Sequence, residues 1–328
     1  MKEYDVIALG ELLIDMTDNG LSEQGNTLFE ANPGGAPCNV LAMLRKLNHK
    51  VGFIGKVGDD IFGHKLKAVL NDVGINTDNL LIDKDCRTTL AFVETHADGD
   101  RSFSFYRNPG ADMMLRKEDI NEKLLEQTKI FHFGTLSMTH EDARQATMYA
   151  VETAKKNGAI ISFDPNIREM LWESLETAKE QVHYGLKMCD ILKISDNEIQ
   201  WLTGEQDFTA GVKKIRAEYD IPLILVSMGK DGSRAYYLEE GSSEIFVEEK
   251  AVLQKNTIET TGAGDTFMGC ILHFILQKGL KGLKQADLSG MLQFANAAAS
   301  IITTRKGALR VMPNLQEIEK MFVLSVTV

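Results

Sequence analysis

The chain has 328 residues, a formal net charge of −11, 44% hydrophobic and 25% charged residues. These proportions fit a globular protein with a sizeable core, built as one large α/β domain or two smaller ones. The acidic balance excludes general nucleic-acid binding, which needs a basic face, but leaves room for a nucleotide, whose phosphates need only a few local donors.

Residues 1–10 enter a strand pattern without a secretory apolar core, and no apolar run approaches the ~20 residues that span a bilayer. The expectation is a cytoplasmic protein with no membrane partner. Cys38, Cys86, Cys189 and Cys270 are scattered without a CxxC spacing, so neither a zinc site nor a disulfide framework is indicated.

Strand patterns at residues 6–9, 51–54, 130–133, 159–163, 191–194 and 223–227 alternate with helical patterns at 39–47, 63–73, 142–157 and 173–188. This alternation predicts βαβ units and a mostly parallel sheet covered on both faces. Two segments break the rhythm. Residues 15–33 are polar and do not read as a helix. Residues 88–107 read as a hairpin turning at Asp98-Gly99, with Phe103 and Phe105 on one face and Ser102, Ser104 and Tyr106 on the other. Together they predict a small discontinuous β-sheet projecting from a single domain over 1–328. A lid over an active site is one use for it; an edge that joins two copies into a homodimer is the other. The apolar end, residues 321–328, is expected to tuck against the body.

The chemistry-bearing motifs fall at strand ends. Asp15 follows the first strand, where a carboxylate can accept two vicinal hydroxyls or serve as an ordinary loop residue. Asn32-Pro-Gly34-Gly35-Ala-Pro37-Cys-Asn39 is a glycine-rich turn running into a helix; it suits close approach to a ligand, and equally a turn with a helix cap. The glycines between Gly52 and Gly63 lack a GxGxxG pattern, so packing explains them better than a dinucleotide fingerprint, and there is no Walker A sequence, so any ATP phosphates are not held by a P-loop lysine. His132, between phenylalanines on a strand, reads as a core residue.

Further on, Phe163-Asp164-Pro-Asn166-Ile-Arg168 brings a guanidinium to a strand end, suited to substrate hydroxyls or a phosphate. Lys193-Ile-Ser195-Asp-Asn-Glu198 adds a lysine and acids suited to Mg²⁺ through water. Ser227-Met-Gly229-Lys-Asp-Gly232 suits backbone contact with phosphates. The most informative stretch is Glu259-Thr-Thr-Gly262-Ala263-Gly264-Asp265-Thr-Phe, small residues opening a long apolar segment. It predicts an anion site at a helix N-terminus, with Asp265 inside it as the base for a hydroxyl that attacks a phosphoryl group.

These motifs resemble the PfkB (ribokinase-like) family of carbohydrate kinases, and the bacterial fructokinase branch in particular, nearly end to end. Gly34-Gly35-Ala36-Pro37-Cys-Asn39 looks like the family's N-terminal signature, and Thr260-Thr-Gly-Ala-Gly-Asp265-Thr-Phe like its C-terminal one. Asp-Gly-Asp-Arg101-Ser-Phe-Ser-Phe-Tyr-Arg107 and Asp-Pro-Asn-Ile-Arg168 are similar to fructokinase motifs. The resemblance implies a ribokinase-like three-layer α/β/α fold with a β-sheet lid. It implies Asp265 as catalytic base with Gly262, Ala263 and Gly264 as its anion hole. Asp15, Gly34, Gly35, Asn39, Arg107 and Arg168 match sugar contacts. Lys193, Glu198, Ser227, Gly229, Gly232 and Asn296 match the ATP and Mg²⁺ region.

Three positions depart from the family pattern. Ser195 stands for the asparagine of the family's Asn-x-x-Glu motif, so only Glu198 carries over. Glu259 stands for the usual aspartate; in cation-activated relatives that position, with carbonyls matching Thr261, Ile302, Arg305 and Gly307, holds K⁺. Leu13 replaces the asparagine that ribokinases place on ribose. The reading that results is an ATP-dependent fructokinase acting on the 6-hydroxyl of D-fructose. The alternatives are the same chemistry on 2-keto-3-deoxygluconate, ribose, a nucleoside or a sugar phosphate, an inactive sugar sensor, and a dehydrogenase.

Overall fold

The computed structural model describes residues 2–95 and 101–326; the expected Asp98-Gly99 turn lies outside them. β1 (Tyr4–Leu9) shows how the layers arise. Val6 and Ala8 pack into one core and Ile7 and Leu9 into another, as on a strand buried on both faces.

The chain then forms β2 (Leu13–Leu21) and β3 (Thr27–Gly34) and returns through α1 (Ala36–Lys46) to β4 (Val51–Gly58). α2 (Ile61–Asp72) leads to β5 (Asn76–Asp83), after which β6 (Leu90–Thr95) and β7 (Arg101–Tyr106) leave the main sheet again. The middle alternates helix and strand. It runs through α3 (Glu122–Glu126), β8 (Thr128–Phe133), α4 (Glu141–Lys156), β9 (Ile160–Phe163), α5 (Leu175–Met188) and β10 (Ile191–Ser195). α6 (Asp196–Thr203), α7 (Phe208–Glu218) and β11 (Leu223–Ser227) follow, then the antiparallel edge strands β12 (Ser233–Tyr237) and β13 (Ile245–Glu249). α8 (Ala263–Lys278), α9 (Gln285–Ile302) and α10 (Leu315–Val326) complete the described chain.

Nine strands form the main sheet in the order β13-β12-β11-β10-β9-β8-β1-β4-β5, parallel from β11 to β5. One face is covered by α1, α2, α8 and α9, the other by α4, α5 and α7. The expected three-layer α/β/α architecture is therefore present. β3-β2-β6-β7 form the smaller, four-stranded sheet where the rhythm of the sequence breaks. Its pairings are antiparallel except β2 with β6.

Helix starts differ from the periodicity for local reasons. α1 begins at Ala36, ahead of its apolar repeat, because Pro37 suits a first turn, where a missing N–H costs nothing. α2 begins early because the Asp60 side chain accepts from the amides of Phe62 and Gly63 at 3.0 and 2.8 Å. The apolar C-terminal segment continues as α10, which buries Ile318. His132 is a buried core residue held by Ser162 at 2.8 Å, and burial, helped by Lys193, lowers its pKa to about 3. All four cysteines are free. Among the described residues no helix is long and apolar enough to cross a membrane.

Candidate active site

Because β1 and β8 to β11 run parallel, their C-terminal ends share one edge of the main sheet, where the smaller sheet also stands. There a polar cavity of about 380 Å³ lies between the two sheets. Asp15, Thr17 and Asn32 come to it from β2 and β3, Val93 and Phe105 from β6 and β7, and Asn166 and Arg168 from the loop after β9. The smaller sheet thus forms one of its walls. Asn166 adopts a left-handed φ of 45°, and its Oδ1 accepts from Arg168 at 2.8 Å, which fixes the guanidinium against the cavity.

The floor is made by the starts of two helices. Asn39, in the first turns of α1, donates from Nδ2 to Asp265 Oδ2 at 2.8 Å. Its own Oδ1 is buried and has no hydrogen-bond partner among the described residues. Asp265 is in the first turn of α8, whose cap, Gly262, has a φ of 75°. A Cβ at Gly262 would also lie 2.6 Å from that of Ala308, so only glycine fits this turn. Burial raises the pKa of Asp265, while Asn39, Lys193 and Arg168 favour its ionised form.

Lys193 Nζ sits 3.0 Å from Asp164 and would lie 3.2 Å from a Cβ at Gly264, placing an ammonium beside the start of α8. Burial opposes its charge, but Asp164, Glu198 and Asp265 outweigh that and hold its pKa above the ordinary lysine value. Glu198 closes a capping box on α6, accepting from Ser195 N and Oγ at 2.8 and 2.7 Å. Its other oxygen accepts from Ile167 N at 2.8 Å, tying α6 to the loop that carries Arg168.

A second, more apolar cavity of about 310 Å³ lies on the other side of the α8 start, lined by Ser227, Gly229, Gly232, Val252, Leu253 and Asn296. Thr260 and Gly264 line both cavities, so the two meet where α8 begins. Asn296 serves as framework there: its amide binds Ser233 Oγ and the carbonyls of Glu249 and Lys250.

The structure redraws three expectations. Arg107 does not line the polar cavity; it is buried in an ion pair with Asp112 at 2.7 Å and donates to Thr139 and to the Leu136 carbonyl. Its fork is spent on protein acceptors. Among the expected anion-hole amides, that of Ala263 donates to the Thr260 carbonyl at 3.2 Å. Gly264 and Asp265, the next two helical residues, carry first-turn amides for which helix geometry supplies no partner within the helix. The candidate K⁺ set is also partly committed: Glu259 Oε1 accepts from Gly307 N at 2.7 Å, and the Ile302 carbonyl accepts from Arg305 N at 3.0 Å. Gly34 lies against the Asp15 carboxylate and Gly35 lines the cavity, where a sugar platform is expected.

Sequence reasoning missed Glu11, and did not place Glu259, Thr17 and Asn32 in the cavity lining. A carboxylate two residues beyond a strand buried on both faces was the available signal for Glu11.

The sequence matches the pfkB family of carbohydrate kinases over residues 4–315. The chain belongs to that family. This kinase is 40% identical over 312 residues to the protein named probable fructokinase-2 of Arabidopsis thaliana, covering 94% of this chain and 92% of the relative. The fructokinase of Xylella fastidiosa, solved with bound ATP, superposes with a TM-score of 0.89 at 30% identity, covering 99% of this chain and all of the other. A fructokinase double mutant of Vibrio cholerae O395, solved with fructose, ADP and potassium ion, gives a TM-score of 0.84 at 29% identity over 98% of this chain and 99% of the other.

Proposed function

We propose that this kinase transfers the γ-phosphoryl group of ATP to the 6-hydroxyl of D-fructose. The observation that carries the reading is the meeting of a polar cavity and a more apolar one at the start of α8, with Asp265 on the polar side. Sugar in the first and ATP in the second would bring hydroxyl and γ-phosphate together at that helix N-terminus. Relatives named fructokinase across nearly the whole chain supply the identity of the sugar.

In this reading Asp265 takes the proton of the attacking hydroxyl as the new P–O bond forms. The amides of Gly264 and Asp265, with Lys193, stabilise charge on the transferring oxygens, so the chemistry is positioning and electrostatics. Asn39 Oδ1 and the Asp15 carboxylate accept sugar hydroxyls, while Arg168 donates to them. The smaller sheet acts as a lid that excludes water, which would otherwise compete as acceptor. Exposed Leu21, Phe29 and Tyr106 on that sheet also suit a homodimer joined through it.

Glu198 fits Mg²⁺ through water, since both its oxygens already accept from protein donors; the ion would neutralise phosphate charge. K⁺ fits less well, because Glu259 bridges to Gly307 directly. Among the described residues lining the sugar cavity, Glu11, Asp15, Glu259 and Asp265 face only Arg168 and Lys193 as cations. That balance favours a neutral sugar over 2-keto-3-deoxygluconate or a sugar phosphate.

The test is ADP release against a panel of fructose, ribose, a nucleoside, 2-keto-3-deoxygluconate and fructose 6-phosphate. Fructose is expected to give the highest kcat/KM. Another acceptor exceeding it would overturn the substrate assignment.

A further inference from the structure

Glu11 belongs to neither family signature, yet it lies at the centre of the sugar platform. It lies two residues past the end of β1, is only 4% exposed, and lines the polar cavity. Its Oε1 accepts from Ala36 N, the first amide of α1, at 2.8 Å. That helix has no side-chain cap of its own: Gly35 precedes it and Pro37 follows in its first turn. Glu11 therefore supplies from a distant strand the cap that local sequence leaves out.

The surrounding backbone is packed to hold this contact. Gly35 has a φ of 130°, and a Cβ there would collide with the Glu11 carbonyl. Pro37 lies so close to Gly10 that a Cβ there would be 2.5 Å from its ring. The strand exit and the helix start are thus locked together.

Capping α1 does not exhaust the carboxylate. Two oxygens offer about four acceptor positions, and its own amide and that of Ala36 are the donors that favour its charge. The neighbouring Arg107 guanidinium is spent on Asp112, Thr139 and Leu136. Beneath lies a void of about 10 Å³, lined by Glu11, His132, Thr135 and Asp164, with room for at most a water. Glu11 lines the polar cavity as well, where its remaining acceptor capacity can meet a bound ligand.

We propose that Glu11 is a specificity-determining residue of the sugar site, one oxygen capping α1 while the carboxylate accepts a hydroxyl of the bound sugar. Burial raises its pKa to about 7, so the group gains from a hydroxyl donor that satisfies it. Only the identity of the sugar rests on the fructose reading.

Two variants separate recognition from capping. Glu11→Gln keeps an oxygen for Ala36 N but puts an amide in place of the carboxylate. Its KM for the sugar should rise roughly tenfold or more, the loss expected for a hydrogen bond to a charged group, with KM for ATP and Tm unchanged. Glu11→Ala removes the cap as well and should also lower Tm. The KM is read with whichever acceptor the wild type prefers in the panel, so a failure of the fructose assignment shows in the wild type alone. A Glu11→Gln enzyme with wild-type sugar KM, beside a Glu11→Ala enzyme of lower Tm, would reduce Glu11 to a structural cap and overturn the proposal.

Discussion

Asn39 on α1 donates from Nδ2 to Asp265 Oδ2 on α8 across 2.8 Å, joining the first turns of the two helices that floor the polar cavity. This bond favours the ionised carboxylate against the burial that disfavours it. Asn39→Ala should therefore lower kcat/KM for the sugar by ~10–10², the scale of one hydrogen bond to a charged group. Removing the donor raises the Asp265 pKa further. The acid limb of the pH–kcat profile should then move to higher pH, and an unmoved limb would argue against the coupling.

Arg107 offers a prediction of the opposite kind. Its guanidinium and the Asp112 carboxylate are almost fully buried and mutually bonded. Arg107→Ala strands Asp112 and should destabilise the fold by about 3–5 kcal/mol in denaturant unfolding. The folded enzyme should keep its KM for the sugar. A large rise in that KM with unchanged stability would return Arg107 to the sugar pocket.

Asp15 gives a signed pH dependence. Burial, offset by Arg168 and reinforced by Glu259 and Asp265, raises its pKa from 3.8 to about 7. Between those values the folded state holds a proton that the unfolded state has lost, so stability contributed here falls as pH rises from about 4 to 7. The Tm of Asp15→Asn relative to wild type should climb through that window and level off above it. Solvent reaching the cavity reduces the size of the effect but not its sign. The same variant should bind sugar more weakly, so stability and affinity move in opposite directions. A Tm difference that shrinks with pH would contradict the assignment.

Much of this was legible in the sequence because it rests on local chemistry. The alternation of strand and helix gave the layers, since a strand buried on both faces must read as Val6 to Leu9 does. The small residues at 262–264 gave the α8 start and Asp265. What remained hidden depends on long-range contacts. Nothing near Arg107 announces that Asp112, Thr139 and Leu136 engage all three of its nitrogens. Nothing near Glu11 announces the Ala36 amide across the platform. Nor does the sequence near Ala263 announce that the turn starting α8 folds its amide back onto Thr260.

Glu259 supports a prediction about ions. Its Oε1 accepts from Gly307 N at 2.7 Å, so a protein hydrogen bond already joins the loop before α8 to Gly307 and takes up one of its oxygens. Replacing K⁺ by Na⁺ should leave turnover essentially unchanged. Glu259→Asp shortens the side chain and should weaken that bridge, lowering Tm. A wild type that loses most of its turnover in Na⁺ would restore the K⁺ site.

The most direct test of the whole account is Asp265→Asn, measured for kcat with fructose and for ATP affinity. The account predicts kcat lower by ~10²–10⁴, the usual scale for a lost general base, with ATP affinity nearly unchanged. A variant retaining near-wild-type kcat would contradict the claim that Asp265 takes the proton of the attacking hydroxyl.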